Sequence, residues 1–214
     1  GDETNNDEGY SGAVYVFESN SSNWLKTAYI KASNNDQDDN FGWALRLAHD
    51  GRTLVVAAPY EDSNATGVNG DDSNKNSRGS GAVYVFTKPA STWSQVAYLK
   101  SAAPDRWDSF GWSLGFASSS GAILVGATSE DGASSSFGGN PRTNTRVDSG
   151  GAYFFERVDA TWVLKGYIKA PTNIAYDSFG RNLALAADGG TFAISSRYVN
   201  GVTTNRAGVT YIYR

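Results

Sequence analysis

The stretch Asp108-Ser109-Phe110-Gly111-Trp112-Ser113-Leu114 returns twice in altered form. It reads Asp39-Asn40-Phe41-Gly42-Trp43-Ala44-Leu45 on its N-terminal side and Asp177-Ser178-Phe179-Gly180-Arg181-Asn182-Leu183 on its C-terminal side. Outward from it, Trp24, Trp93 and Trp162 stand 69 residues apart (93 − 24 = 69; 162 − 93 = 69). The same offset relates Tyr29, Tyr98 and Tyr167, and also Lys31, Lys100 and Lys169. A period longer than one supersecondary unit, with matched aromatic and glycine landmarks, predicts a radial or stacked array of small sheets.

Within one period the strands follow from alternation and turn chemistry. Gly81-Ala82-Val83-Tyr84-Val85-Phe86 alternates β-branched and aromatic residues, as a half-buried strand does, and Pro89 ends it. Trp93 to Lys100 makes a second strand, Phe110 to Phe116 a third and Ala122 to Ala127 a fourth. Ser118-Ser119-Ser120-Gly121, His49-Asp50-Gly51 and Asp188-Gly189-Gly190 are hairpin turns, because Asp-Gly tolerates the positive φ of a primed turn. Four strands per period is the content of one propeller blade, so the fold class is all-β, with propeller-type blades of four antiparallel strands and about three repeats. Long polar loops follow the fourth strand at 61–79 and 129–149, with a shorter one at 196–207. Loops of that length in a compact domain are functional or disordered.

Composition supports this reading. A chain of 214 residues suffices for one large all-β domain, and 24 Gly, 12 Tyr, 10 Phe and 6 Trp suit short strands joined by tight turns. We read residues 1–214 as one domain with repeats at 11–79, 80–149 and 150–214, part of a larger propeller or assembly. Gly1-Asp2 aligns with Gly70-Asp71, so the chain starts in mid-loop, and the absence of Met suggests a processed chain or an excised fragment. The net charge is −4 and no basic stripe interleaves with the aromatics, so nucleic acid is not an expected partner. Zero Cys excludes disulfides, Cys-ligated zinc and thiol chemistry. No apolar run is long enough to span a bilayer.

The elements Asp108-Ser109-Phe110-Gly111-Trp112-Ser113-Leu114, Leu54 to Ser63 and Gly81 to Phe86 resemble the FG-GAP repeat, which builds the propeller of integrin α-subunit heads and of many bacterial extracellular proteins. The Phe-Gly element occurs three times. The Gly-Ala-Pro element reads Ala57-Ala58-Pro59, Gly126-Ala127-Thr128 and then Ile194-Ser195-Ser196, decaying toward the C-terminus. The resemblance implies blades that run from an innermost Phe-Gly strand to an outermost Trp/Tyr/Lys strand. Two are then complete, at 41–100 and 110–169. Residues 179–214 supply three inner strands, and 12–31 a third-type and an outer strand. It also implies an extracellular or cell-surface location.

Phe41, Phe110 and Phe179 read as core between blades. Asp39, Asp108 and Asp177 read as Asx turns at the strand entry. Trp43 and Trp112 read as buried. Trp107 has no equivalent in the other repeats, where Asp38 and Tyr176 stand, and with Tyr60, Phe137 and Tyr198 it is a candidate ligand-binding aromatic. The oxygen-rich loop 61–72 offers Asp62, Asn64, Asn69 and Asp71 for calcium, although the strict Asp-x-Asp-x-Asp-Gly spacing of integrin loops is absent. Catalysis finds little support. His49 is the only histidine, and the adjacent carboxylates Glu61-Asp62 and Glu130-Asp131 diverge on extended backbone.

The expected function is non-enzymatic. The chain reads as an extracellular interaction, adhesion or assembly module whose partner is a protein or a second copy joined by strand addition. The alternative is a lectin-like module that binds glycan. In the first reading, Gly12 to Phe17 and Gly208 to Tyr213 compete for one strand place, and pairing between chains completes the blades.

Overall fold

The computed structural model describes residues 3–4, 7–135, 137–199 and 207–214. Among them there is no helix; the secondary structure is thirteen strands in four antiparallel sheets. The N-terminal sheet holds β1 (Val14–Ser19) and β2 (Trp24–Ile30). Next comes a complete blade of β3 (Leu45–Leu47), β4 (Thr53–Ala58), β5 (Ala82–Thr87) and β6 (Ser94–Leu99), ordered as in the sequence. A second complete blade joins β7 (Phe110–Ala117), β8 (Ala122–Ala127), β9 (Gly151–Val158) and β10 (Thr161–Ile168) in the same way. The C-terminal sheet is β11 (Leu183–Leu185), β12 (Phe192–Val199) and β13 (Ala207–Tyr213). This is the division into two whole and two partial blades that the sequence predicts.

The middle strands of the two complete blades are largely buried on both faces because each of these sheets is stacked between two others. Alternation sends Val55 and Ala57 of β4, and Val83 and Val85 of β5, into one core with Phe110, Leu114, Ile123 and Val125. Leu54, Val56, Tyr84 and Phe86 turn the other way, to pack with Phe41, Val14 and Ile30. In β8 Leu124 likewise points away from Ile123 and Val125, into a third core with Phe154, Phe179 and Ile194. The hydrophobic cores are therefore the gaps between consecutive sheets. Phe41, Phe110 and Phe179 are 2%, 0% and 0% exposed, as core residues should be.

The inner strands are shorter than expected in two blades. Regular pairing begins at Leu45 and Leu183, although β7 does begin at Phe110. The glycine after each Phe leaves extended backbone, with φ of 98°, 98° and 90° at Gly42, Gly111 and Gly180, and in β7 the register slips there, between Phe110 and Ser113. Each Phe N–H instead donates to a serine carbonyl of the preceding loop, Ser11, Ser80 or Ser149, at 2.9 Å. Gly81 and Gly150 sit against these Phe residues so closely that a Cβ would overlap the Phe110 and Phe179 backbones. A main-chain seam thus stitches each blade to the next.

Candidate functional site

The seam fixes one outward position per repeat. Asp38, Trp107 and Tyr176 each adopt positive φ (69°, 71° and 69°) and donate a backbone N–H to the carbonyl of Gly9, Arg78 and Val147 respectively. All three side chains are exposed, while the Asp that follows each is buried. The backbone is constant and the displayed chemistry changes from carboxylate to indole to phenol. Positive φ in non-glycine residues costs of order 1–3 kcal/mol and persists only where the surroundings impose it. Here three consecutive seam bonds impose it.

The buried aspartates work differently from the expected Asx turns. Asp39 accepts from the N–H of Asp36 at 2.9 Å, and Asp108 from that of Asp105 at 2.8 Å, so each carboxylate reaches back three residues. The return bonds run from Asp39 N–H to the Asp36 carbonyl and from Asp108 N–H to the Asp105 carbonyl. The loop is closed from behind, which leaves the following residues free to pair with the seam. Burial pushes the Asp39 carboxyl up to about 7 and the Asp108 carboxyl up to about 8. The single backbone donor does not offset the lost hydration, and the nearby carboxylates add to the upward shift.

Behind the seam lies a charge network that the sequence reading missed. In the first complete blade, Glu61 accepts from Lys100 Nζ at 2.7 Å, Tyr98 Oη at 2.8 Å and Asn34 Nδ2 at 3.0 Å. In the second, Glu130 accepts from Lys169 Nζ at 2.8 Å, Tyr167 Oη at 2.5 Å and the Gly132 N–H at 3.0 Å. Lys100 also donates to Ser80 Oγ at 2.8 Å, and Lys169 to Ser149 Oγ at 2.7 Å. Both lysines are buried, at 0% and 1% exposure. Burial pulls both ammonium groups down from the usual lysine range while the carboxylates oppose it, and the tyrosines are pushed well above theirs. The network ties the end of the second strand, the start of the third and the outer strand of one blade. Its polar atoms are committed to one another, which suits a clamp. The signal was present: Glu61 and Glu130 share the offset of the lysines.

The candidate ligand-binding residues divide. Trp107 and Tyr60 come together on a cavity of about 540 Å³ that Gln37, Asp38, Asn40, Asp62 and Arg78 also line. Trp107 is 47% exposed; its ring lies against Gly79, with the Arg78 guanidinium 5.1 Å from the ring centroid. Phe137 is exposed but lies elsewhere, over Gly166 of the outer strand β10. Tyr198 falls in β12, and its side chain lies outside the described residues. Trp43 corrects the expectation of burial. It is 46% exposed, and its ring packs 4.8 Å from Trp112 and 6.1 Å from Tyr60. Arg181, which replaces a third tryptophan, stacks at 4.8 Å on Trp112. The inner strands thus carry an aromatic row continuous with Tyr60.

The four candidate calcium ligands each take part in hydrogen bonds of the loop. Asp62 accepts from the Gly79 N–H at 2.8 Å, and Asn69 Oδ1 from the Tyr98 N–H at 2.9 Å, which pins the loop to the outer strand. Asp71 accepts from the N–H and hydroxyl of Ser73, and the Asn64 N–H donates to Asn74. Among the described residues no group of three or more His, Cys, Asp or Glu is arranged to hold a metal. Glu61 and Asp62 point apart, one into the charge network and one to the loop. His49 is exposed at the β3–β4 turn. No helix among the described residues is long and apolar enough to cross a membrane.

A blade-forming repeat with a constant seam and a variable display position defines a repeat scaffold. Residues 24–86 match the FG-GAP repeat family model, running from β2 through β5, and the chain carries an FG-GAP repeat. No curated protein matches the chain significantly.

Proposed function

We propose that this chain is a non-catalytic interaction module of extracellular, adhesive type that presents side chains from a rigid array of blades. The observation that carries the proposal is the row Asp38, Trp107 and Tyr176, three different exposed side chains held in one backbone conformation. A scaffold that varies only what it displays suits recognition. The extracellular assignment rests on where FG-GAP repeats typically occur. The expected partner is a protein surface, with Trp107 as an aromatic anchor and Arg78 beside it. A glycan is the second reading, favoured by the cavity that gathers Trp107, Tyr60 and the amides of Gln37 and Asn40.

Screening the chain against immobilised extracellular proteins and a glycan array separates the two readings. Binding to a protein that is lost in Trp107→Ala supports the first, and binding to a sugar lost in both Trp107→Ala and Tyr60→Ala supports the second. Hydrolysis or transfer by the chain on any bound ligand would contradict both. Calcium belongs to the proposal for loop 61–72, where Asp62 and Asp71 each engage their present donors through one carboxylate oxygen, Oδ1.

A further inference from the structure

We propose that the cavity between the display positions 38 and 107 binds an uncharged saccharide. The inference rests on the glycan reading of that cavity and names the class of sugar it takes. Its volume, about 540 Å³, lies in the range in which protein clefts bury small ligands.

The repeat separates what the fold requires at this place from what is displayed there. Asp62 recurs 69 residues on as Asp131, and both carboxylates accept a backbone N–H, Asp62 from Gly79 at 2.8 Å and Asp131 from Asp148 at 2.7 Å. That aspartate is architecture in both complete blades. Tyr60, Arg78 and Trp107 have Ser129, Val147 and Tyr176 at the same offset, so the scaffold forms without them. Each is nevertheless held in place. Trp107 is fixed by the seam, Tyr60 packs against Trp43 at 6.1 Å, and the Arg78 guanidinium lies over the Trp107 ring, 5.1 Å from its centroid. Groups fixed before binding lose little conformational entropy on binding.

The chemistry left open selects the ligand. The Arg78 guanidinium and the Tyr60 hydroxyl line the cavity and donate to no acceptor among the described residues. Of the carboxylates in the lining, Asp62 uses only Oδ1 in its bond from Gly79, and exposed Asp38 has only a 3.5 Å contact from Gln37 Nε2. A sugar hydroxyl donates and accepts at once, so one polyol satisfies the guanidinium and the carboxylates together. A carboxylate-bearing sugar would meet two like charges for one guanidinium. An ammonium-bearing sugar would find the place over the Trp107 ring taken by the protein's own cation, Arg78. The apolar C–H face of a neutral pyranose suits the indole and phenol rings.

The test screens the full chain on an array of three sets: neutral oligosaccharides of glucose, galactose and mannose, uronic-acid oligosaccharides, and oligosaccharides of unacetylated glucosamine. The best neutral ligand is then titrated by calorimetry. Neutral members are expected to be retained over both charged sets, with an affinity that changes less than about twofold with ionic strength, because the ligand brings no charge to screen. Trp107→Ala and Arg78→Met are each expected to weaken binding by about tenfold or more, and Val147→Ala, at the equivalent place of the second complete blade, to leave it unchanged. Retention of no sugar at all would sink the glycan reading and the inference with it. Preferential retention of acidic or amino sugars would overturn the inference alone and leave that reading standing. Neutral binding undiminished in both Trp107→Ala and Arg78→Met, with both variants folded, would also overturn it, because the cavity would then take no part.

Discussion

Replacing Glu130 by Gln keeps the side-chain volume and removes one charge from the most enclosed part of the second complete blade. Lys169, 1% exposed, then loses the one carboxylate in ion-pair contact with it among the described residues, and the new amide NH₂ must face a donor. Either Lys169 and Tyr167 crowd it from one side or the Gly132 N–H does from the other. Breaking a buried pair from one side costs about 3–5 kcal/mol, mostly as the penalty of the orphaned charge. In a chain of this size each kcal/mol lowers Tm by about 2–4 °C, so a fall of roughly 10 °C is expected. Chemical denaturation of Glu130→Gln, Lys169→Met and the double variant forms the assay. The double variant is expected to recover at least about 2 kcal/mol of the summed loss, because it removes the orphan. Lys31→Met, at a half-buried ammonium with no carboxylate of the described residues in ion-pair contact, is expected to cost less than about 1 kcal/mol. A Glu130→Gln cost below about 1 kcal/mol, with additive behaviour in the double variant, would refute the clamp.

Three further outcomes are expected. Folded-state carboxyls raised to about 7 and 8 keep their protons after the unfolded chain has ionised near its ordinary value, so Asp39 and Asp108 stabilise the fold fully in acid. That stabilisation declines as pH rises from about 4 toward 8; Tm should fall across this window, and Asp39→Asn with Asp108→Asn should flatten the fall. Phe110→Ala opens the core between the two complete blades and should cost about 3–5 kcal/mol, whereas Trp107→Ala should cost under about 1 kcal/mol. Equal losses would place Trp107 in the core. If loop 61–72 takes calcium, millimolar calcium should raise Tm relative to chelator, and no shift would remove the ion from the proposal.

The strand order was legible because each blade uses nearest neighbours in sequence, and offset landmarks mark strand and face together. Trp162 and Tyr167 locate β10, Phe110 locates the start of β7, and the apolar run of β4 follows from its place between two sheets. What the sequence hid was direction. Nothing local shows that Asp39 bonds backward to the Asp36 N–H, since an Asx turn uses the same residue. The Glu61–Lys100 contact spans 39 residues, and acidic and basic residues read separately as solvated until burial pairs them. The exposure of Trp43 depends on an inner strand whose Leu45 and Leu47 are themselves exposed, a property of the array and not of its neighbours in sequence. Trp107 and Tyr60 were singled out individually; only the seam, by setting Trp107 against Arg78 and Gly79, brings them to one cavity.

Binding by a variant with Asp38, Trp107 and Tyr176 all replaced by Ala tests the central claim most directly. The three side chains are exposed and outside the clamp, so Tm is expected to stay within a few degrees of the parent while binding to the partner found by screening falls by tenfold or more. Undiminished binding by the folded triple variant would contradict the claim that the constant backbone exists to display this row.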